Sequence, residues 1–71
     1  MDQIKLLSVV ALLEDLPWRN LVRGQVGTVV ESLAPDVFEV EFSDNEGRTY
    51  ASLALRTNQM MALRHEITKA A

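Results

Sequence analysis

The stretch Val37-Phe38-Glu39-Val40-Glu41-Phe42 constrains this chain more than any other. Phe38, Val40 and Phe42 alternate with Glu39 and Glu41. That period of two puts the apolar side chains on one face of an extended strand and the carboxylates on the wet face. Wound into a helix, the same residues would scatter around the circumference. Ala34-Pro35-Asp36 ahead of it is a turn, with Pro35 presetting φ. Ser43-Asp44-Asn45-Glu46-Gly47 behind it is a polar cluster closed by glycine, the pattern of a hairpin connection.

A strand with one apolar face needs neighbours, and the flanking sequence supplies them. Arg48 to Leu55 is the returning strand, with Thr49, Ala51, Leu53 and Leu55 on one face and Arg48, Tyr50, Ser52 and Ala54 on the other. Gln25 to Leu33 is a strand rich in β-branched residues at Thr28-Val29-Val30. Gly27 inside it points to a bulge or a close backbone approach. Met60 to Arg64 is a short last strand, and Thr57-Asn58-Gln59 ahead of it suits one 3₁₀ turn. Leu6 to Leu13 has two readings. Leu6, Val9, Val10 and Leu13 fit a helical face with Asp2 as N-cap, while the β-branched pair and the continuous apolar run favour a strand over Ser8–Leu13. A long loop, Glu14 to Arg23, follows.

The expected architecture is therefore all-β: five short strands, a long loop between strands 1 and 2, and a 3₁₀ turn before strand 5. Curling such a sheet into a small barrel removes most of its exposed edge. The 71 residues allow one domain, with its core over about 8–64 and extensions at 1–5 and 65–71. The initial Met1 leads us to expect a complete small protein. A chain this short is marginally stable on its own. It has no cysteine, and His65 is its only histidine, so disulfides and Cys/His metal centres are excluded and no cofactor is implied. Self-association or docking on a larger partner remains as a source of stability. The apolar share, 48%, is too high for a disordered chain. The longest apolar stretch, Leu6–Leu13, is too short to span a bilayer and lacks the marks of a secretory signal, so a cytoplasmic location with no membrane partner is expected.

The element order resembles an SH3-like barrel. Arg23-Gly24-Gln25-Val26-Gly27-Thr28-Val29-Val30-Glu31 followed by Val37–Phe42 is similar to the start of a KOW-type module, where a glycine pair makes the tight entry to a strand. With Val9-Val10-Ala11-Leu12-Leu13-Glu14-Asp15-Leu16-Pro17 and Gly47-Arg48-Thr49-Tyr50-Ala51, the chain resembles a family of short bacterial proteins of unknown function, over Ser8 to about Leu63. The resemblance implies an SH3-like barrel. Members resemble small partner proteins sometimes encoded next to toxin-like genes, which makes an antitoxin or immunity role one option. The resemblance assigns no role to Trp18.

The candidate chemistry points away from an enzyme. Glu39 and Glu41 share one wet face and Glu14-Asp15 are adjacent, whereas acid–base catalysis needs two carboxyls in different environments. Ser8, Ser32, Ser43 and Ser52 have only His65, in the tail, as an imidazole partner. Gly24-x-x-Gly27 lacks the Lys-Ser/Thr of a phosphate loop. No catalytic or metal-ligating residue is therefore expected.

For nucleic acid, Arg19, Arg23, Arg48, Arg56 and Arg64 could converge, with Trp18 and Tyr50 stacking bases. Against this, Glu31, Asp36, Glu39, Glu41, Asp44 and Glu46 run through a segment without Lys or Arg, and the net charge is −3. A protein partner fits better. Leu16-Pro17-Trp18 with Leu21-Val22 makes an apolar loop, and Trp18 beside Arg19 is the pattern of an interface anchor. In the competing reading Trp18 folds back and plugs the open end of the barrel. Met60-Met61 likewise has one member inward and one available as a contact. The candidate partner-binding set is Leu16, Pro17, Trp18, Arg19, Leu21, Val22, Glu39, Glu41 and Tyr50. The leading expectation is a non-enzymatic protein-binding module that docks on a basic or toxin-like protein or a second copy of itself. An SH3-like nucleic-acid accessory factor is the alternative.

Overall fold

The computed structural model describes residues 4–64. It is all-β. Strands β1 (Val9–Leu12), β2 (Val26–Ala34), β3 (Val37–Ser43), β4 (Thr49–Arg56) and β5 (Met60–Ala62) form one antiparallel sheet in the order β4-β3-β2-β1-β5. One 3₁₀ turn, Pro17–Arg19, lies in the loop after β1, and another, Thr57–Gln59, joins β4 to β5. None of the described residues forms a helix long and apolar enough to cross a membrane.

Alternation on β3 organises the interior. Phe38, Val40 and Phe42 are buried and meet Val10 and Leu12 of β1, Val29 of β2, Leu53 and Leu55 of β4, and Met60 of β5. Each such side chain contributes about 1.5–3 kcal/mol through burial. Ile4 packs against this cluster, ahead of the expected core boundary at residue 8. The first segment is a strand and not a helix: Val10 pairs with Gly27 on one side and Ala62 on the other, so both flanks of β1 are satisfied by the ladder.

The turn Thr57–Gln59 brings the two ends of the ladder together. The Thr57 N–H donates to the Asp36 carbonyl at 3.0 Å, and the Leu13 N–H donates to the Gln59 carbonyl at 2.9 Å. One short turn thus touches the β2–β3 connection and the end of β1, so the sheet is strongly coiled. Beyond it the Leu63 N–H donates to the Val9 carbonyl at 2.8 Å. Strand β5 stops at Ala62, short of the expected Arg64.

Gly27 faces inward against β3, and of the two expected roles it serves the close approach. A Cβ there would sit 2.8 Å from Val40 Cγ1 and 2.9 Å from the Glu41 carbonyl oxygen. The irregularities fall elsewhere: between Val29 and Glu31, between Ser32 and Ala34, and at Tyr50, which is the extra residue where Phe42 pairs with Ala51 and Ser43 with Thr49. That last bulge explains why Thr49, expected on the buried face, is exposed. At the β3–β4 hairpin the Asp44 carboxylate accepts the N–H groups of Glu46 and Arg48, each at 2.9 Å.

Candidate functional site

The loop between β1 and β2 is built, not slack. Leu16 and Leu21 form an isolated antiparallel bridge, with the Leu16 N–H donating to the Leu21 carbonyl at 2.8 Å and the return bond at 3.2 Å. Both side chains are only 1% exposed and belong to the core. Between them, Pro17 opens the 3₁₀ turn with its φ preset, and Asn20 closes it in the left-handed region at φ 58°. The Asp15 carboxylate accepts the Arg23 N–H at 2.8 Å, and Gly24, at φ 94°, turns the chain into β2. The result is a clamped projection whose tip is Pro17-Trp18-Arg19-Asn20.

This overturns two expectations. Leu16 and Leu21 are not surface contacts, because their own bridge turns them inward to cover the core. Trp18 does not fold back into the interior, as the competing reading had it: it is 73% exposed, and the two leucines occupy the interior position instead. The sequence offers no sign of this division, since a loop has no period to separate inward from outward residues.

The loop lies over β4. Arg19 Nη2 donates to the Ser52 carbonyl at 3.1 Å. The Val22 N–H donates to Gln25 Oε1, and Gln25 Nε2 donates to the Tyr50 hydroxyl at 2.9 Å. Tyr50 and Ser52 share the outer face of β4, so the loop, Gln25 and β4 form one connected surface. The Ser52 hydroxyl donates to Glu39 Oε2 at 2.6 Å, which extends that surface to β3. Pro17, Trp18, Arg19, Val22 and Tyr50 are exposed there, while Val26 and Met61, which flank Ala11 of β1, expose about half of their surface. Met60 points inward and Met61 outward, as alternation requires.

Glu39 and Glu41 do project to the outer face, but both are half-buried and not freely solvated. Glu39 stands opposite Glu31 of β2 and Ala54 of β4, and Glu41 stands opposite Thr28 and Ser52. Carboxylates directly opposite on neighbouring strands repel, so Glu31 and Glu39 make a negative patch on this face. Gln25, Ser52 and Ala54 belong to the surface although sequence reasoning did not select them. Alternation placed Ser52 and Ala54 on the outer face beside Tyr50, whereas nothing local marks Gln25.

The arginines are partly committed. Arg48 pairs with Asp44 at 3.3 Å and with Glu46 across the hairpin. Hydrogen bonding from the Arg48 backbone N–H, opposed by desolvation and reinforced by the Glu46 N–H and the Arg48 side chain, holds the Asp44 carboxyl below its ordinary value. His65 lies outside the described residues. Chemically, the surface offers an exposed indole, a phenol, apolar side chains and a patch of carboxylates.

No curated protein and no solved structure matches the chain. A family match covers residues 6–62, from the segment before β1 to the end of β5. The chain therefore belongs to the family described as a domain of unknown function (DUF4926).

Proposed function

We propose that this chain is a non-enzymatic binding module, an SH3-like barrel of bacterial cytoplasm, that docks on a protein partner through the Pro17–Asn20 tip and the outer face of β3 and β4. The carrying observation is Trp18, 73% exposed on a loop whose two ends are buried. Covering that indole removes about 150 Å² from water, worth about 3–4 kcal/mol at ~25 cal/mol per Å². A rigid aromatic pays little ordering entropy on binding, which is how interface anchors work. The net charge of −3 and the patch of Glu31, Glu39 and Glu41 favour encounter with a basic protein. Neutralisation of a toxin-like partner fits this chemistry, and self-association through the same surface is the competing form of it.

The nucleic-acid alternative is weakened by the arginines. Arg48 is engaged by Asp44 and Glu46. A phosphate-binding stripe needs such groups turned outward together.

The test compares immobilised chain with its Trp18→Ala variant in extract of the source cell. The reading expects a protein retained by the first and lost from the second, then bound one-to-one when purified. Equal retention on both would overturn it, as would retention of nucleic acid alone.

A further inference from the structure

We propose that the open edge of β4 at Ala54 receives an extended segment of the protein partner, one with a single lysine or arginine opposite Ala54 and acidic residues two positions to either side. The inference rests on the docking reading above and adds the mode of attachment and the residue pattern.

Among the described residues, strand β4 ends the ladder and pairs with β3 alone. In an antiparallel pair, a residue's N–H and C=O point to the same side and alternate from one residue to the next. Arg19 reaches the Ser52 carbonyl from outside the sheet, so Ser52 directs its backbone groups to the open edge. The Arg56 N–H, four residues on, donates to Gln59 Oε1 at 2.8 Å and points the same way. Ala54 lies midway, so its N–H and C=O face the same edge. Arg19 and Gln59 therefore cover the two ends of the edge and leave a short window at Ala54. A strand laid there forms main-chain hydrogen bonds with Ala54, the mode by which exposed sheet edges take extended peptides.

The side chains select what enters. Between the edge and the carboxylates of β3 stand only Ala54, opposite Glu39, and Ser52, opposite Glu41. Both are small. A cationic side chain on the added strand opposite Ala54 can therefore lie across the methyl group toward Glu39, with Glu31 directly beyond it on β2. It relieves the repulsion between those two carboxylates. Arg19 stands at the Ser52 end of the window and Arg56 at the other. The positions two residues either side of the cation meet these guanidinium groups, so they are acidic. A uniformly basic segment would satisfy the centre and clash at both ends.

The probe is the peptide Thr-Glu-Val-Arg-Val-Glu-Thr, titrated into the full chain while backbone amide shifts are followed by NMR. Shifts centred on Ser52 to Arg56 are expected. The charge-swapped peptide Thr-Lys-Val-Glu-Val-Lys-Thr should bind about tenfold more weakly, the size of a lost charge-assisted hydrogen bond. Backbone N-methylation at the arginine should abolish binding without touching the protein. Ala54→Lys, an exposed change checked for folding by its melting curve, should weaken binding about tenfold. Absence of binding, equal binding of the swapped or methylated peptide, or a free chain already dimerised through β4 would each overturn the inference. Should the Trp18-dependent partner bind Ala54→Lys as tightly as the unaltered chain, the β4 mode fails while the docking reading stands. A partner indifferent to Trp18→Ala removes the docking reading itself.

Discussion

Gly27 of β2 lies so close to Val40 of β3 that a single added methyl would come within 2.8 Å of the valine Cγ1. Part of that crowding is backbone, because the Glu41 carbonyl oxygen would be 2.9 Å away. Gly27→Ala should therefore destabilise the fold by about 1–3 kcal/mol, the usual cost of overpacking. Urea denaturation measures it. Trimming Val40 in the same chain should not restore the loss, since the carbonyl remains. Full recovery in the double variant would show that the approach is set by the side chain alone.

The clamped loop separates stability from presentation. Leu16→Ala and Leu21→Ala each remove a side chain that is 1% exposed and should cost about 2–4 kcal/mol. Trp18→Ala removes an exposed side chain from the same loop and should change stability by no more than about 0.5 kcal/mol. Three denaturation curves decide it. A Trp18→Ala loss as large as the leucine losses would mean that the indole is packed.

Fluorescence tests the same point without a mutation. Trp18 is the chain's only tryptophan, so emission reports on it alone. It should emit as a solvated indole and be quenched by iodide in the native chain nearly as readily as in the urea-unfolded one. A blue-shifted, quencher-protected signal from the monomer would contradict the exposed geometry.

The hairpin carries an acid-side dependence. Asp44 accepts the N–H groups of Glu46 and Arg48, and these bonds depress its carboxyl below the ordinary value of about 4. A group whose folded-state value is depressed adds stability that is fully present above the unfolded value. That stability fades as pH falls through the folded one. The chain should lose stability below about pH 4 partly through this residue, and Asp44→Asn should flatten that part of the profile. Thermal melts of both chains between neutral and acid pH check the sign. An unchanged slope in the variant would remove Asp44 from the account.

Legibility in the sequence followed the regularity of the backbone. Val37–Phe42 could be read outright because alternation and burial coincide along β3, and the 3₁₀ turn at Thr57–Gln59 lay where a short polar connector between two apolar strands must lie. Tyr50 marks where alternation fails: a bulge shifts the phase by one residue, and Thr49 moves from the expected buried face to solvent. The loop was legible as an apolar projection but not in its division. Leu16, Trp18 and Leu21 are all large and apolar, and the bridge between Leu16 and Leu21, a pairing across the loop, decides which of them turn inward. Glu39 shows the remaining limit. Its strand face could be read, whereas the Ser52 hydroxyl that bonds its carboxylate comes from a different strand.

The Leu63-to-Val9 hydrogen bond, which closes β5 onto β1, has a topological consequence. The points where the chain enters its first strand and leaves its last are neighbours across one ladder rung. Joining them with a short glycine–serine linker and reopening the backbone at the exposed Asn45–Glu46 tip would produce a circular permutant with every sheet pairing retained. Such a permutant should still unfold in one cooperative transition, at lower stability because Ile4 no longer packs on the core and Asp44 loses its hold on the hairpin.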